Sequence, residues 1–145
     1  MKKIILAAVI LISSFYSFAS DPGVNEKVLE AFNKTFSDAR DVSWAETATS
    51  YEVSFKQHEI QLKVNYDKEG NIINTLRYYS EEHLPLMVIS KIKTRFADKT
   101  IFGVTEISSE EGTYYHVVLE DDKSWVEVKA DVFGSISVQK RMRKG

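Results

Sequence analysis

The chain aligns with itself. Superposing the segment from Val28 on the segment from Val88 brings Val28, Phe32 and Phe36 onto Val88, Ile92 and Phe96 at a constant offset of 60. Both stripes step by four, the spacing that puts side chains on one face of a helix, and Asp38 and Asp98 follow each Phe where such a helix should stop. Trp44 falls on Val104 at the same offset. Four residues are then inserted and the offset becomes 64, which lays Tyr51, Val53 and Phe55 on Tyr115, Val117 and Leu119, and Val64, Asp67, Gly70 and Ile72 on Val128, Asp131, Gly134 and Ile136. A repeat of this length makes each copy one supersecondary unit that buries its apolar face beside its neighbour.

Each unit opens with an amphipathic helix and continues in short segments whose apolar residues alternate: Tyr51/Val53/Phe55, then Ile60/Leu62/Val64/Tyr66, then a run from Ile72 to Tyr79. Period two is the mark of half-buried antiparallel strands. Lys56 to Glu59 and Glu120 to Lys123 read as short polar hairpin loops, and Asp67-Lys-Glu-Gly70 and Asp131-Val-Phe-Gly134 end in the glycine that a bulged turn demands. The pattern predicts an α+β fold, αββββ twice, with two helices packed on one face of an antiparallel sheet of up to eight strands. The first helix should run from Pro22 or Val24 to Phe36. The second should start near Pro85, whose fixed φ suits a first turn.

Ahead of the repeat, Lys2 and Lys3 precede an unbroken apolar run from Ile4 to Ile12 and an exit through Ser13, Ser14, Ser17 and Ala19. The run is shorter than the ~20 residues of a spanning helix. It reads as a signal peptide of residues 1–19, cleaved before Ser20. The chain holds no cysteine, so there is neither a thiol to lipidate nor a disulfide, and the expected product is a periplasmic or secreted protein without stable membrane insertion. Loss of Lys2 and Lys3 lowers the 19 basic residues to 17 against 21 acidic ones, a formal charge of −4. That balance argues against nucleic acid as a partner. No linker composition interrupts residues 20–145, which read as one domain of two repeats, about 22–79 and 80–145.

A helix ending in Phe36, the run Val42-Ser-Trp44, a Tyr-x-Val-x-Phe strand at Tyr51, the turn Tyr66-Asp-Lys-Glu-Gly70 and Leu84-Pro85 opening a second helix together form a recognisable set. The chain resembles the PepSY-like, beta-lactamase-inhibitor-protein-like family of bacterial exported proteins. The resemblance covers essentially all of residues 20–145 and lies in helix ends and hairpin turns. It implies a tandem repeat whose sheet offers a concave face, used by the inhibitor protein to grip an enzyme, while related PepSY domains restrain proteases. The inhibitor protein is disulfide-bonded and this chain has no cysteine; no residue of an inhibitory loop is carried over.

Residues able to do chemistry are scattered. His58 falls in a predicted loop, His83 before the second helix and His116 on a strand, with no spacing that gathers two ligands on one element, so no metal is expected. Asp67-Lys-Glu69-Gly-Asn71 is too short for a calcium loop, and its counterpart Asp131-Val-Phe-Gly134 keeps only the turn residues. Ser90 to Lys93 spells Ser-x-x-Lys in mid-helix, away from any supporting group. Neither catalysis nor a cofactor is expected.

Aromatic residues are the more telling signal. A sheet covered by helices on one face sends alternate side chains to the other, so one ring each of Tyr78/Tyr79 and Tyr114/Tyr115 should stand on the open face. Trp125, out of phase with Val126 and Val128, should join them. Tyr and Trp anchor protein interfaces, which makes Trp125, Tyr78, Tyr79, Tyr114 and Tyr115 the candidate binding residues, against the alternative that they are cross-strand packing. The expected function is an exported, non-enzymatic module recognising a protein, in one form inhibiting or regulating an envelope or secreted enzyme; the alternative is a small-molecule or envelope-ligand binder using the same face. The basic cluster Lys140-Arg141-Met142-Arg143-Lys144 reads as a charged sheet edge, the device that guards an open edge against pairing.

Overall fold

A computed structural model describes residues 23–145; the expected signal peptide and its cleavage site lie outside them. Helix α1 spans Glu26–Thr35 and α2 spans Leu86–Arg95. Asn25 starts α1, its side-chain oxygen accepting from the Lys27 N–H at 2.8 Å while its amide donates to the Lys68 carbonyl at 3.0 Å. Such a cap satisfies one of the N–H groups a helix start leaves unpaired. Pro85 precedes α2 and brings no side-chain cap. The two helices stop alike. Phe36 ends α1 at φ −124°, ψ 56° and Phe96 ends α2 at φ −125°, ψ 53°, each N–H donating to the carbonyl four residues back.

Eight strands follow: β1 (Arg40–Glu46), β2 (Ser50–Gln57), β3 (Ile60–Asp67) and β4 (Ile72–Tyr79) after α1, then β5 (Thr100–Ser109), β6 (Gly112–Glu120), β7 (Ser124–Asp131) and β8 (Ile136–Arg143) after α2. They form one antiparallel sheet in the order of the sequence, β1 to β8. Both helices lie against one face. Val28 and Phe32 of α1 share a buried cluster with Tyr51, Val53, Phe55, Leu62, Val64 and Tyr66 of β2 and β3, whereas Val88, Ile92 and Phe96 cluster with Val104, Val117, Leu119, Val126 and Val128. Fully burying a side chain of this size stabilises by about 1.5–3 kcal/mol, so the two clusters carry the fold.

The turns between β3 and β4 and between β7 and β8 share one construction. Asp67 Oδ1 accepts from the N–H groups of Glu69 and Asn71 at 2.9 and 2.8 Å; Asp131 Oδ1 accepts from Phe133 and Ser135, both at 2.9 Å. Gly70 at φ 92° and Gly134 at φ 79° close them, in the left-handed region that glycine enters without strain. These bonds hold both aspartates below their ordinary value of 3.8, the side chain and N–H of Asn71 foremost for Asp67 and the N–H of Ser135 foremost for Asp131.

Between β4 and α2 the chain returns across the helix-side face. A 3₁₀ turn at Glu81–His83 packs on β5, Leu84 is buried in the second cluster, and the His83 ring meets Tyr79 edge-on at 5.4 Å.

Candidate binding face

Register decides which side chains reach the uncovered side of the sheet. Gln61 pairs with Tyr78, Tyr78 with Thr105, Thr105 with His116 and His116 with Lys129. The next row runs Lys63, Leu76, Ile107, Tyr114, Asp131. Paired residues share a face, and because Val64, Val117 and Val128 point to the helices, both rows point away from them. Leu76, Ile107 and Tyr114 thus form an apolar strip across three strands, with Tyr78 beside it on β4. All four are half-buried.

Tyr78, Tyr114 and Trp125 stand on this open face. Tyr79 and Tyr115 do not: they are 9% and 5% exposed and belong to the second helix-side cluster. They leave the candidate set because each is the in-phase neighbour of a core valine, Tyr79 pairing with Val104 and Tyr115 lying two residues from Val117.

Trp125 sits in a second group at the far end of β7. Its cross-strand partner on β8 is Met142, and the Phe102 ring meets it edge-on at 4.8 Å and 86°. Phe102, 63% exposed, escaped the sequence reading. Pairing shifts between Ile101 and Gly103, so an extra residue turns Phe102 outward. Gly103 inside a strand pattern is the signal that marks such a bulge.

Two of the outward rings carry a cation. Lys129 Nζ stands 3.9 Å from the centre of the Tyr114 ring, and Lys144 Nζ 4.3 Å from that of Trp125. Lys144 also reaches Glu120 at 2.6 Å. Lys63 bonds Glu52 at 2.8 Å, a contact that raises the Lys63 pKa. A cation over an aromatic face is worth about 0.5–1 kcal/mol where exposed. Each ammonium therefore covers its ring weakly and can swing off it.

The histidines lie apart. His58 is in the β2–β3 turn at φ 49°, His83 in the 3₁₀ turn, and His116 on the open face with Nε2 3.8 Å from Glu127 Oε2. Among the described residues no three His, Asp or Glu side chains gather at metal-binding distance, and no helix is long and apolar enough to cross a membrane.

No family model matches this chain, and no curated protein does. Solved structures do match. A BLIP-like protein from Bacteroides fragilis superposes with a TM-score of 0.67 at 18% identity, covering 83% of this chain and 88% of that one. A putative periplasmic protein from Bacteroides eggerthii gives 0.67 at 14% identity over 83% and 88%, and a DUF2874 family protein from Bacteroides ovatus gives 0.66 at 17% over 86% and 88%. At such identities the likeness is one of architecture, and the two-helix, eight-stranded antiparallel fold of this chain is that of the BLIP-like proteins.

Proposed function

We propose that the chain is an exported, non-enzymatic binding protein that recognises another protein through the open face of its sheet. The observation that carries this reading is the uncovered strip of Leu76, Ile107 and Tyr114 with Tyr78 beside it, flanked by the Trp125–Phe102 pair. Aromatic residues amid polar neighbours are the composition of interface anchors. The BLIP-like architecture supports the reading by analogy of fold. A small ligand would call for a concave pocket burying most of its surface, whereas these side chains are spread in rows across adjacent strands. Periplasmic or secreted localisation and the removal of residues 1–19 belong to the same reading. So does descent of the two halves from one PepSY-like unit, which the matching helix ends and Asp-x-x-Gly turns support.

The test is an affinity capture from envelope extract with the exported protein as bait, beside Tyr78→Ser/Tyr114→Ser. A specific partner held by the parent and lost by the variant is expected. Equal capture by both places the interface elsewhere.

A further inference from the structure

Gly70 and Gly134 give the two halves a common point of measurement. A Cβ on Gly70 would stand 3.0 Å from the carbonyl oxygen of Lys27, and one on Gly134 would stand 3.3 Å from that of Met87. Each turn therefore leans on the first turn of its own helix at the same place. This sets Glu26 and Lys27 opposite Leu86 and Met87, and Lys68 and Glu69 opposite Val132 and Phe133. The four positions are all charged in the first half and all apolar in the second. Leu86, Met87, Val132 and Phe133 are 85%, 57%, 40% and 74% exposed. Since the first half builds the same turn from charged residues, the fold does not require apolar ones here, and a cluster of them in water signals an interaction site.

Several polar groups of the turn are met from within. Asp131 accepts from the N–H groups of Phe133, Gly134 and Ser135, and the Phe133 carbonyl accepts from Lys91 Nζ at 2.9 Å. The four projecting side chains of the corner carry no hydrogen-bonding group, whereas protein interfaces add about one hydrogen bond per 100–200 Å². Such a surface suits a hydrocarbon boundary better than a protein one.

The charge around the corner is mainly basic, with Asp131 inside the turn and Glu81, paired to Lys93 at 3.0 Å, as its acidic company. α2 carries Lys91, Lys93 and Arg95 and no acidic residue; β8 carries Lys140, Arg141 and Arg143 and again none. Arg95 donates to the Ile136 carbonyl at 2.8 Å, tying the two elements together. In α1, by contrast, Glu26 and Glu30 stand among the lysines. We propose that this corner and its basic flank form a docking surface for an anionic phospholipid membrane. Leu86, Met87, Val132 and Phe133 enter the boundary of the acyl layer, and the helix-side cations Lys91, Arg95, Arg141 and Arg143 lie among the headgroups. The contact is peripheral. Because α2 lies on the opposite side of the sheet, a docked molecule keeps its open face turned to a partner, although the inference does not depend on that face being used.

Flotation of the exported protein, its leader removed, with vesicles of phosphatidylethanolamine and phosphatidylglycerol tests this directly. The protein should float with these vesicles, release as salt is raised, and fail to float with phosphatidylcholine alone. Val132→Lys/Phe133→Glu installs the residues of the first turn, which that turn shows to be compatible with the fold, and should lower binding at least tenfold with an unchanged melting curve. Leu86→Glu/Met87→Lys should do the same. Arg141→Gln, which removes one flank cation, should cost about fivefold. Absence of flotation by the parent, or flotation undiminished in both double variants, overturns the proposal. It is equally overturned if the parent dimerises without vesicles and the double variants do not, since the corner is then a contact between copies of the chain.

Discussion

The hydroxyl of Tyr79 donates a 2.6 Å hydrogen bond to Oε2 of Glu106, although the residue paired with Tyr79 across the strands is Val104. Arg77, the pairing partner of Glu106, holds the same carboxylate from Nη1 at 3.1 and 3.2 Å. Two side chains of β4 thus converge on one acid of β5, on the helix side, where α1's half of the sheet meets α2's. Glu106 is 16% exposed at its side chain and Arg77 39%, so solvent screens the ion pair on one side only. A hydrogen bond to a charged group contributes about 1.5–3 kcal/mol. Tyr79→Phe should therefore lower stability in urea by about 1–2 kcal/mol. Combined with Glu106→Gln it should show a coupling of at least ~0.5 kcal/mol; simple additivity would mean that the three groups do not act as a unit.

This seam also explains what the sequence conceals. The stride of Val28, Phe32 and Phe36, the alternation in β2 and β3 and the Asp-x-x-Gly turns made the helices, the hairpins and the strand count legible, because each is a local pattern. In β4 the alternation misleads. Leu76 and Tyr78 look like a core face, yet they point away from the helices while Thr75 and Arg77 point towards them. The inversion is possible because α1 does not cover β4. At its end Tyr79 meets His83 edge-on and shares a cluster with Leu84 of the returning segment, and beside it the Arg77–Glu106–Tyr79 group forms. Within Tyr78-Tyr79 and Tyr114-Tyr115 two aromatic neighbours carry no phase at all; only pairing with Val104 and proximity to Val117 decides which ring turns inward.

Alkaline titration should expose the inward tyrosines. Burial raises the pKa of Tyr66 to about 12, raises Tyr115 chiefly by burial, and raises Tyr79 by burial and then by its bond to Glu106. A group whose folded pKa lies above its unfolded value of 10 contributes stability that is complete below pH 10 and is lost as pH rises towards the folded value. Stability should therefore decline above about pH 10, and ultraviolet difference spectra should show these rings ionising last. Tyr66 differs from Tyr79 in that its buried hydroxyl has no hydrogen-bond partner. Removing an unpaired buried hydroxyl relieves a desolvation cost, so Tyr66→Phe should be neutral or stabilising; a loss above ~1 kcal/mol in denaturant would reveal a partner for that oxygen.

Acid should act through the aspartates. Asp121 is held well below its ordinary value, first by its ion pair with Lys99 and then by the N–H of Lys123, and Asp67 and Asp131 lie lower for the turn bonds already described. For a depressed carboxylate the stability contribution is complete above the unfolded value near 3.8 and is lost as pH falls through the lowered folded value. Melting temperatures should be level down to about pH 4 and fall below it. Asp131→Asn keeps the oxygen that accepts from Phe133 and Ser135 but does not titrate, so its melting curve should depend less on pH below 4. An unaltered slope would place the acid sensitivity in other groups.

The two turn glycines separate strain from crowding. Alanine at either enters a positive φ, which costs about 1–2 kcal/mol for a residue with a side chain. At Gly70 the new Cβ also meets the Lys27 carbonyl oxygen at 3.0 Å and its carbon at 3.3 Å, both backbone atoms of α1. At Gly134 the nearest atom is Lys91 Cδ at 2.7 Å, the flexible part of a side chain, with the Met87 carbonyl oxygen behind it at 3.3 Å. Gly70→Ala should cost more than Gly134→Ala in parallel urea titrations, by about 1 kcal/mol or more. The reverse order would show that α1 shifts more readily than Lys91 and Met87.

Trp125 tests the open face because its packing and its exposure pull in opposite directions. Its phase turns it away from the helices, but Phe102 on its edge, Met142 across the strand and Lys144 above its ring give it neighbours that a bare surface ring lacks. Trp125→Ala should therefore cost about 1 kcal/mol of stability, more than a surface substitution and well short of the ~3–5 kcal/mol of a buried aromatic. Phe102→Ala, at the exposed bulge, should cost less. If the pair anchors a partner, either truncation should weaken binding by about 2 kcal/mol or more, roughly thirtyfold. Calorimetric melting and affinity for the captured partner, measured on both variants, distinguish the roles. A large fall in melting temperature with unchanged affinity for both would make the pair a packing feature of the sheet and confine the recognition surface to Tyr78, Tyr114 and their apolar strip.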